Sequence, residues 1–155
     1  PYRMWAKQGL LTLTRGNVTD YEFVKATIRE CDNKFDLREV AYDPWGADTI
    51  AQQLQDEDGI VMVAHRQGYG SMSEPTKELE RLVLSGKVRH GGHPILRWHA
   101  SNSTVTMDPA GNIKIIKADA KGQGKKKVDG IIAAIMGLSR AMAVDVETGN
   151  LLTVL

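Results

Sequence analysis

Residues 37–64 read LREVAYDPWGADTIAQQLQDEDGIVMVA, and the change of apolar period within this stretch decides the fold class. Leu37–Asp43 is rich in strand formers, and Pro44 with Gly46 stops it, because proline cannot donate to a sheet ladder. About Ala47–Glu57 the period becomes helical: Ile50, Ala51 and Leu54 fall on one face before Asp58-Gly59 breaks the pattern. Ile60–Ala64 is short, nearly all apolar and bounded by turn residues, as a strand covered on both faces should be. Strand, helix, strand in that order predicts a parallel α/β sheet.

Upstream, Leu10–Thr14 (LLTLT) reads as a short strand ended by Arg15-Gly16-Asn17. Thr19 and Glu22 form a capping box for a helix to about Cys31, with Phe23, Val24 and Ile28 as its apolar face. Downstream, RQGYGSMSEP is a glycine-bearing loop leading to a helix capped by Ser73, with Pro75 in its first turn, Leu79, Leu82 and Val83 inward, and Gly86 as its stop. Beyond HGGHP, Thr104–Met107 and Ile113–Lys117 alternate on either side of Asp108-Pro109-Ala110-Gly111-Asn112, which is hairpin chemistry, and this hairpin is expected to protrude. A last helix, about Lys127–Met142, places Ile132, Ala133, Met136 and Arg140 on the face of Asp129. The expected architecture is a mixed sheet flanked by helices over residues 1–145, with 146–155 as a tail.

With 155 residues, 42% of them hydrophobic and 25% charged, the chain suits one domain with one core. No apolar run approaches the roughly 20 residues of a membrane helix, and the opening PYRMWAKQG has no signal-peptide pattern, so a soluble, unexported chain is expected. Cys31 is the sole cysteine, which excludes an internal disulfide and a multi-cysteine zinc site and fits a reducing interior such as cytoplasm.

Twenty basic against nineteen acidic residues neither demand nor exclude a nucleic-acid partner. Their distribution says more. Residues 85–127 hold Lys87, Arg89, Arg97, Lys114, Lys117, Lys121, Lys125, Lys126 and Lys127 against Asp108 and Asp119, a region suited either to phosphates or to plain solvated surface. No P-loop signature and no G-x-S-x-G elbow occurs. His90 and His93 flank two glycines and read as a turn rather than a zinc site, and His65 and His99 suggest no constellation.

Two aspartates stand out by position. Asp43 ends a strand, where ligands bind in open α/β sheets, and Asp129 opens a helix. Carboxylates converging from such distant positions suit hard Mg²⁺ or Mn²⁺, and in two-metal phosphoryl transfer the ions lie about 3.5–4 Å apart and share several acidic ligands. Each also has a plain structural reading: Asp before Pro opens turns, and an acid in a helix's first turn is favoured by the macrodipole. Spacing alone leaves both open.

The strings LLTLTRGNVTDY, VAYDPWGADTIAQQLQDE, RQGYGSMSEPTKELERLVLSGKVRHGGHPILRWHASN, MDPAGNIK and KKVDGIIAAIMGLSRA resemble, in order, signature blocks of phage terminase large subunits of the HK97-like kind, over nearly all of residues 5–142. The resemblance implies an RNase H-like endonuclease domain that cuts concatemeric viral DNA with two Mg²⁺ or Mn²⁺ ions held by three acidic residues. Two of these fall on Asp43 and Asp129. The third belongs on a first strand upstream of the present sequence, so the opening strands and one metal carboxylate are expected to be missing here, as is the family's ATPase motor.

The implied partners are double-stranded viral DNA and, through the full-length subunit, the terminase small subunit and portal protein, in the host cytoplasm. Arg97, Lys114, Lys117, Lys121, Lys125, Lys126 and Lys127 are the expected DNA contacts. Rival readings are another RNase H-like enzyme of resolvase or transposase type, and a non-catalytic fragment docking DNA or portal.

Overall fold

The computed structural model describes residues 2–118 and 126–148. The chain divides into two compact units, Pro1–Ala64 and His65–Leu155.

In the first unit, α1 (Tyr2–Lys7) and α2 (Tyr21–Lys34) precede the strand–helix–strand of β1 (Val40–Tyr42), α3 (Asp48–Asp58) and β2 (Met62–Ala64). The strands pair in parallel, Val40 with Met62 and Tyr42 with Ala64, as the change of period predicts. Both are three residues long, shorter than the apolar runs that announce them. α3 buries Ala51 and Leu54, and burying a leucine completely is worth about 1.5–3 kcal/mol.

Three expectations fail in this unit. Leu10–Thr14 form no strand: no described segment pairs with them, Leu13 is exposed, and an extended run persists only where a neighbour takes its backbone groups. The N-cap of α2 is Asp20 and not Thr19; its Oδ1 accepts from the Phe23 amide at 3.0 Å, and an ionised acceptor at this spacing outcompetes a hydroxyl one residue earlier. Phe23 and Val24 are exposed, because α2 meets α3 through polar pairs instead. Buried Lys25 donates to Gln53 Oε1 at 3.0 Å and pairs with Glu22, while Arg29 reaches Glu57 and Asp58.

The second unit holds α4 (Tyr69–Leu84), α5 (Pro94–Ser101), the hairpin β3 (Ser103–Met107) and β4 (Ile113–Lys117), and α6 (Asp129–Thr148). α4 packs against both α6 and β4. It starts four residues before the expected cap: Gly68 is the N-cap, so Ser73 and Pro75 lie inside the helix, both buried. Ser73 is not spent on capping because its hydroxyl accepts from the Ile113 amide at 3.1 Å, across to β4. The hydroxyl of Ser71 donates to the Arg66 and Gly68 carbonyls and so fastens the first turn of α4 to the loop before it.

The hairpin has the expected antiparallel register, Met107 opposite Ile113 and Ser103 opposite Lys117. It protrudes less than expected, since β4 lies against α4 and buries Ile113. Among the described residues the strands form two separate two-stranded sheets, one parallel and one antiparallel, rather than one mixed sheet. α5 was not legible in the sequence; Pro94 at its first position is its only start signal, and the His90–His93 turn before it closes through the His93 amide on the His90 carbonyl.

α6 buries Ile135, Met136 and Leu138 and leaves Ala133 exposed, so the core-facing stripe is rotated from the expected one. At about 100° per residue, Asp129 lies on the flank of that stripe and not at its centre. The helix runs to Thr148, into the stretch assigned to the tail. No helix among the described residues is long and apolar enough to cross a membrane.

Candidate metal centre and basic surface

Asp43 directly follows β1, at the carboxyl end of the parallel pair. It is half-buried, and its Oδ1 accepts from the Trp45 amide at 3.1 Å, closing a turn over Pro44. The second oxygen is unspent by any described donor. One residue earlier, the Tyr42 hydroxyl donates to Asp48 Oδ1 at 3.4 Å; burial, helped by the Asp48 charge, raises the phenol above its usual pKa. That keeps Tyr42 a neutral donor beside the turn.

Asp129 is the first residue of α6 and is exposed. Its carboxylate has no hydrogen bond or ion pair with the described residues. What fixes it is the backbone on either side. The Gly130 amide donates to Nδ1 of His99 at 2.9 Å, and the Asn102 side-chain amide donates to the Lys127 carbonyl at 3.1 Å. The Asn102 carbonyl accepts from the Ala118 amide at 2.7 Å. Asn102, itself buried, therefore joins the end of β4 to the start of α6.

That junction gathers charge. Lys117 is the last residue of β4, and Lys126 and Lys127 lead into α6; all three are exposed, and Asn102 bonds the Lys127 carbonyl and the Ala118 amide that follows Lys117. Arg97 is exposed on α5. Lys114 is engaged elsewhere: its ammonium sits 4.7 Å from the Tyr69 ring centroid, a cation–π contact between β4 and α4. Lys121 and Lys125 lie outside the described residues.

Comparisons with known proteins identify the family. The family model "Terminase large subunit, endonuclease domain" matches residues 1–145. The chain belongs to that family. It is 39% identical, over 97% of its length, to "Terminase, large subunit" of Enterobacteria phage HK97, and 35% identical, over 94% of its length, to "Protein YmfN" of Escherichia coli (strain K12). It spans only 29% and 31% of those two proteins. Among solved structures, the HK97 bacteriophage large terminase matches 90% of the chain with a TM-score of 0.78, using 29% of that protein. The large terminase nuclease from thermophilic phage G20c matches 81% of the chain, over 65% of its own, with a TM-score of 0.62 at 18% identity. The fold is thus the RNase H-like α/β fold of terminase nucleases, although the described strands form two small sheets.

In this terminase nuclease domain each of the two aspartates, taken by itself, has oxygen chemistry that suits a hard divalent cation. Asp43 keeps one oxygen unspent and Asp129 keeps two, and carboxylate oxygens are what Mg²⁺ and Mn²⁺ take. Among the described residues no group of three or more His, Cys, Asp or Glu side chains could hold a metal ion. Asp43 belongs to the first unit and Asp129 to the second. His99, Asn102 and Gly130 are the residues that sequence reasoning missed. One signal was available: Val128, at the position before α6, has no side-chain oxygen to cap the helix, so the acceptor must come from elsewhere.

Proposed function

We propose that this chain forms the cutting part of a viral genome-packaging terminase, an endonuclease that hydrolyses phosphodiester bonds of concatemeric double-stranded DNA with two Mg²⁺ or Mn²⁺ ions held in part by Asp43 and Asp129. The observation that carries the reading is the Asp129 carboxylate: exposed, free of described partners, and directly after Lys126-Lys127-Val128, which Asn102 ties to the end of β4. A bare surface acid in a stretch rich in exposed lysines suits a cation and a polyanion together.

Bound by such carboxylates, divalent ions supply an activated water and neutralise charge on the attacked phosphate. The chain's own residues do the rest. Asp43 is held by its turn with one oxygen available, and Asp129 by the clasp at Asn102 and His99. Lys117, Lys126 and Lys127, with Arg97 on α5, meet backbone phosphates without reading bases, which gives grip and register but no sequence preference. Lys114 follows only if it leaves Tyr69. Lys121 and Lys125 extend the same basic run in sequence. On this reading the small subunit and portal protein engage the remainder of the large subunit, and the work is done in the host cytoplasm.

Plasmid cleavage with Mn²⁺ by a complete large subunit carrying this sequence tests the proposal. Asp43→Ala and Asp129→Ala are each expected to cut cleavage at least about a hundredfold, since even outer-shell losses at metal sites cost 10–100-fold. Undiminished cleavage in both variants would assign the chemistry to other residues and leave this chain a docking module.

A further inference from the structure

We infer that His99 and Asn102, at the end of α5, are positioning residues for Asp129: they act as the missing cap of α6 and so fix where its first carboxylate stands. The inference rests on the nuclease reading above and deepens it, by naming what sets the place of one of its two aspartates.

A helix start exposes backbone N–H groups with no partner within the helix, and a Ser, Thr, Asp or Asn side chain normally accepts from one of them. α6 has valine at that position. The Val128 carbonyl accepts from the Ile131 and Ile132 amides, and Val128 itself is buried, so it can do nothing for the amide of Gly130. That amide goes to His99 Nδ1 at 2.9 Å. An imidazole accepting at Nδ1 carries its proton on Nε2 and is neutral, which also suits the positive end of a helix dipole.

The approach is close enough to exclude any side chain at position 130. A Cβ on Gly130 would stand 2.5 Å from His99 Nδ1 and 3.5 Å from a methyl of Leu96. Gly130 is therefore required for α5 to reach α6. On the other side of Asp129, the Lys127 carbonyl is fixed by Asn102, whose own carbonyl holds Ala118. Asp129 thus sits between two backbone anchors, two residues before it and one after it, both supplied by α5 and its C-cap. The carboxylate is left free while the chain beneath it is clamped, an arrangement suited to a ligand that must present oxygens without rearranging.

The experiment titrates Mn²⁺ into the complete large subunit without DNA or nucleotide and reads free Mn²⁺ by electron paramagnetic resonance. His99→Leu keeps bulk and removes the acceptor; its half-saturating Mn²⁺ concentration is expected to rise about tenfold. His99→Asn returns an oxygen near the Nδ1 position and is expected to recover to within about twofold of the parent, whereas His99→Gln, whose oxygen reaches the Nε2 position, is not. Gly130→Ala should behave like His99→Leu. If His99→Leu does not fold, the Asn and Gln variants decide the matter alone.

A purely structural role would lower melting temperature equally in Asn and Gln without separating their Mn²⁺ affinities, and that result overturns the inference. Asp129→Asn distinguishes the two levels of failure. Mn²⁺ binding indifferent to Asp129→Asn sinks the nuclease reading itself; binding that needs Asp129 but ignores every His99 variant sinks only the positioning role.

Discussion

The motif Asp-Pro-x-Gly occurs twice, at Asp43-Pro44-Trp45-Gly46 and at Asp108-Pro109-Ala110-Gly111, and the chain uses it in two different ways. Both turns open with the aspartate Oδ1 accepting from the amide two residues on, at 3.1 Å in the first and 2.9 Å in the second, and both place the glycine at positive φ, 77° and 81°. In the hairpin the carboxylate is then exhausted. Its Oδ1 takes a second amide, from Asn112, and its Oδ2 takes the Asn112 side chain at 3.0 Å. At Asp43 one bond suffices and an oxygen is left over. The same backbone device thus makes one aspartate a fastener and leaves the other able to hold something from outside.

The sharpest way to break this contrast is to neutralise each acid in turn. In the complete subunit, Asp43→Asn is expected to lower Mn²⁺-dependent cleavage at least about a hundredfold and Asp108→Asn to leave it within about twofold. Comparable losses in both would show that the hairpin acid is also part of the site. A smaller effect tests the shared backbone. Gly46→Ala and Gly111→Ala have open space around the new Cβ, so each should cost only the left-handed penalty of about 1–2 kcal/mol in urea denaturation. Unequal costs would mean that the turns differ in backbone as well as in side chain.

The smallest effect is one of pH. The Asn112 side chain, with the Asn112, Ala110 and Gly111 amides, holds the Asp108 carboxyl below the ordinary carboxylate value. A group depressed on folding contributes stability above its unfolded pKa and loses it as pH falls through the folded one. The Asn112 amide resonance should therefore shift only in acid below the usual carboxylate range, and Asp108→Ala should abolish that transition.

Where the sequence was legible, local pattern was enough. The parallel pair of β1 and β2, the stop at Pro44, the hairpin around Asp108 and the turn opened by Asp43 all follow from period and turn chemistry within a few residues. Apart from the cap of α2, where Asp20 wins over Thr19 locally, the misreadings turn on what lies far along the chain. Ser73 looks like a cap but is drawn to an amide 40 residues away, and the helix starts earlier at Gly68. Phe23 and Val24 look like the inward face of α2, yet the helix meets α3 through Lys25 and Gln53 instead. Leu10–Thr14 look like a strand but have no described partner. His99 looks idle until α5 meets α6 at Gly130, 31 residues on. The places of Asp43 after a strand and of Asp129 at a helix start could be read from their neighbours, and the bonds from α5 that flank Asp129 could not.

The bond from Ile113 to Ser73 has a consequence for how the hairpin is assembled. A two-stranded ribbon can slide by a residue or two while keeping most of its ladder, and such slippage turns inward side chains outward. Here the first amide of β4 is spoken for by a buried hydroxyl on a different element. Sliding the strand in either direction would strand that hydroxyl against the wrong backbone atom, at the price of an unmet buried polar group, about 1–3 kcal/mol. α4 therefore acts as a gauge for the ribbon, accepting one alignment and penalising its neighbours.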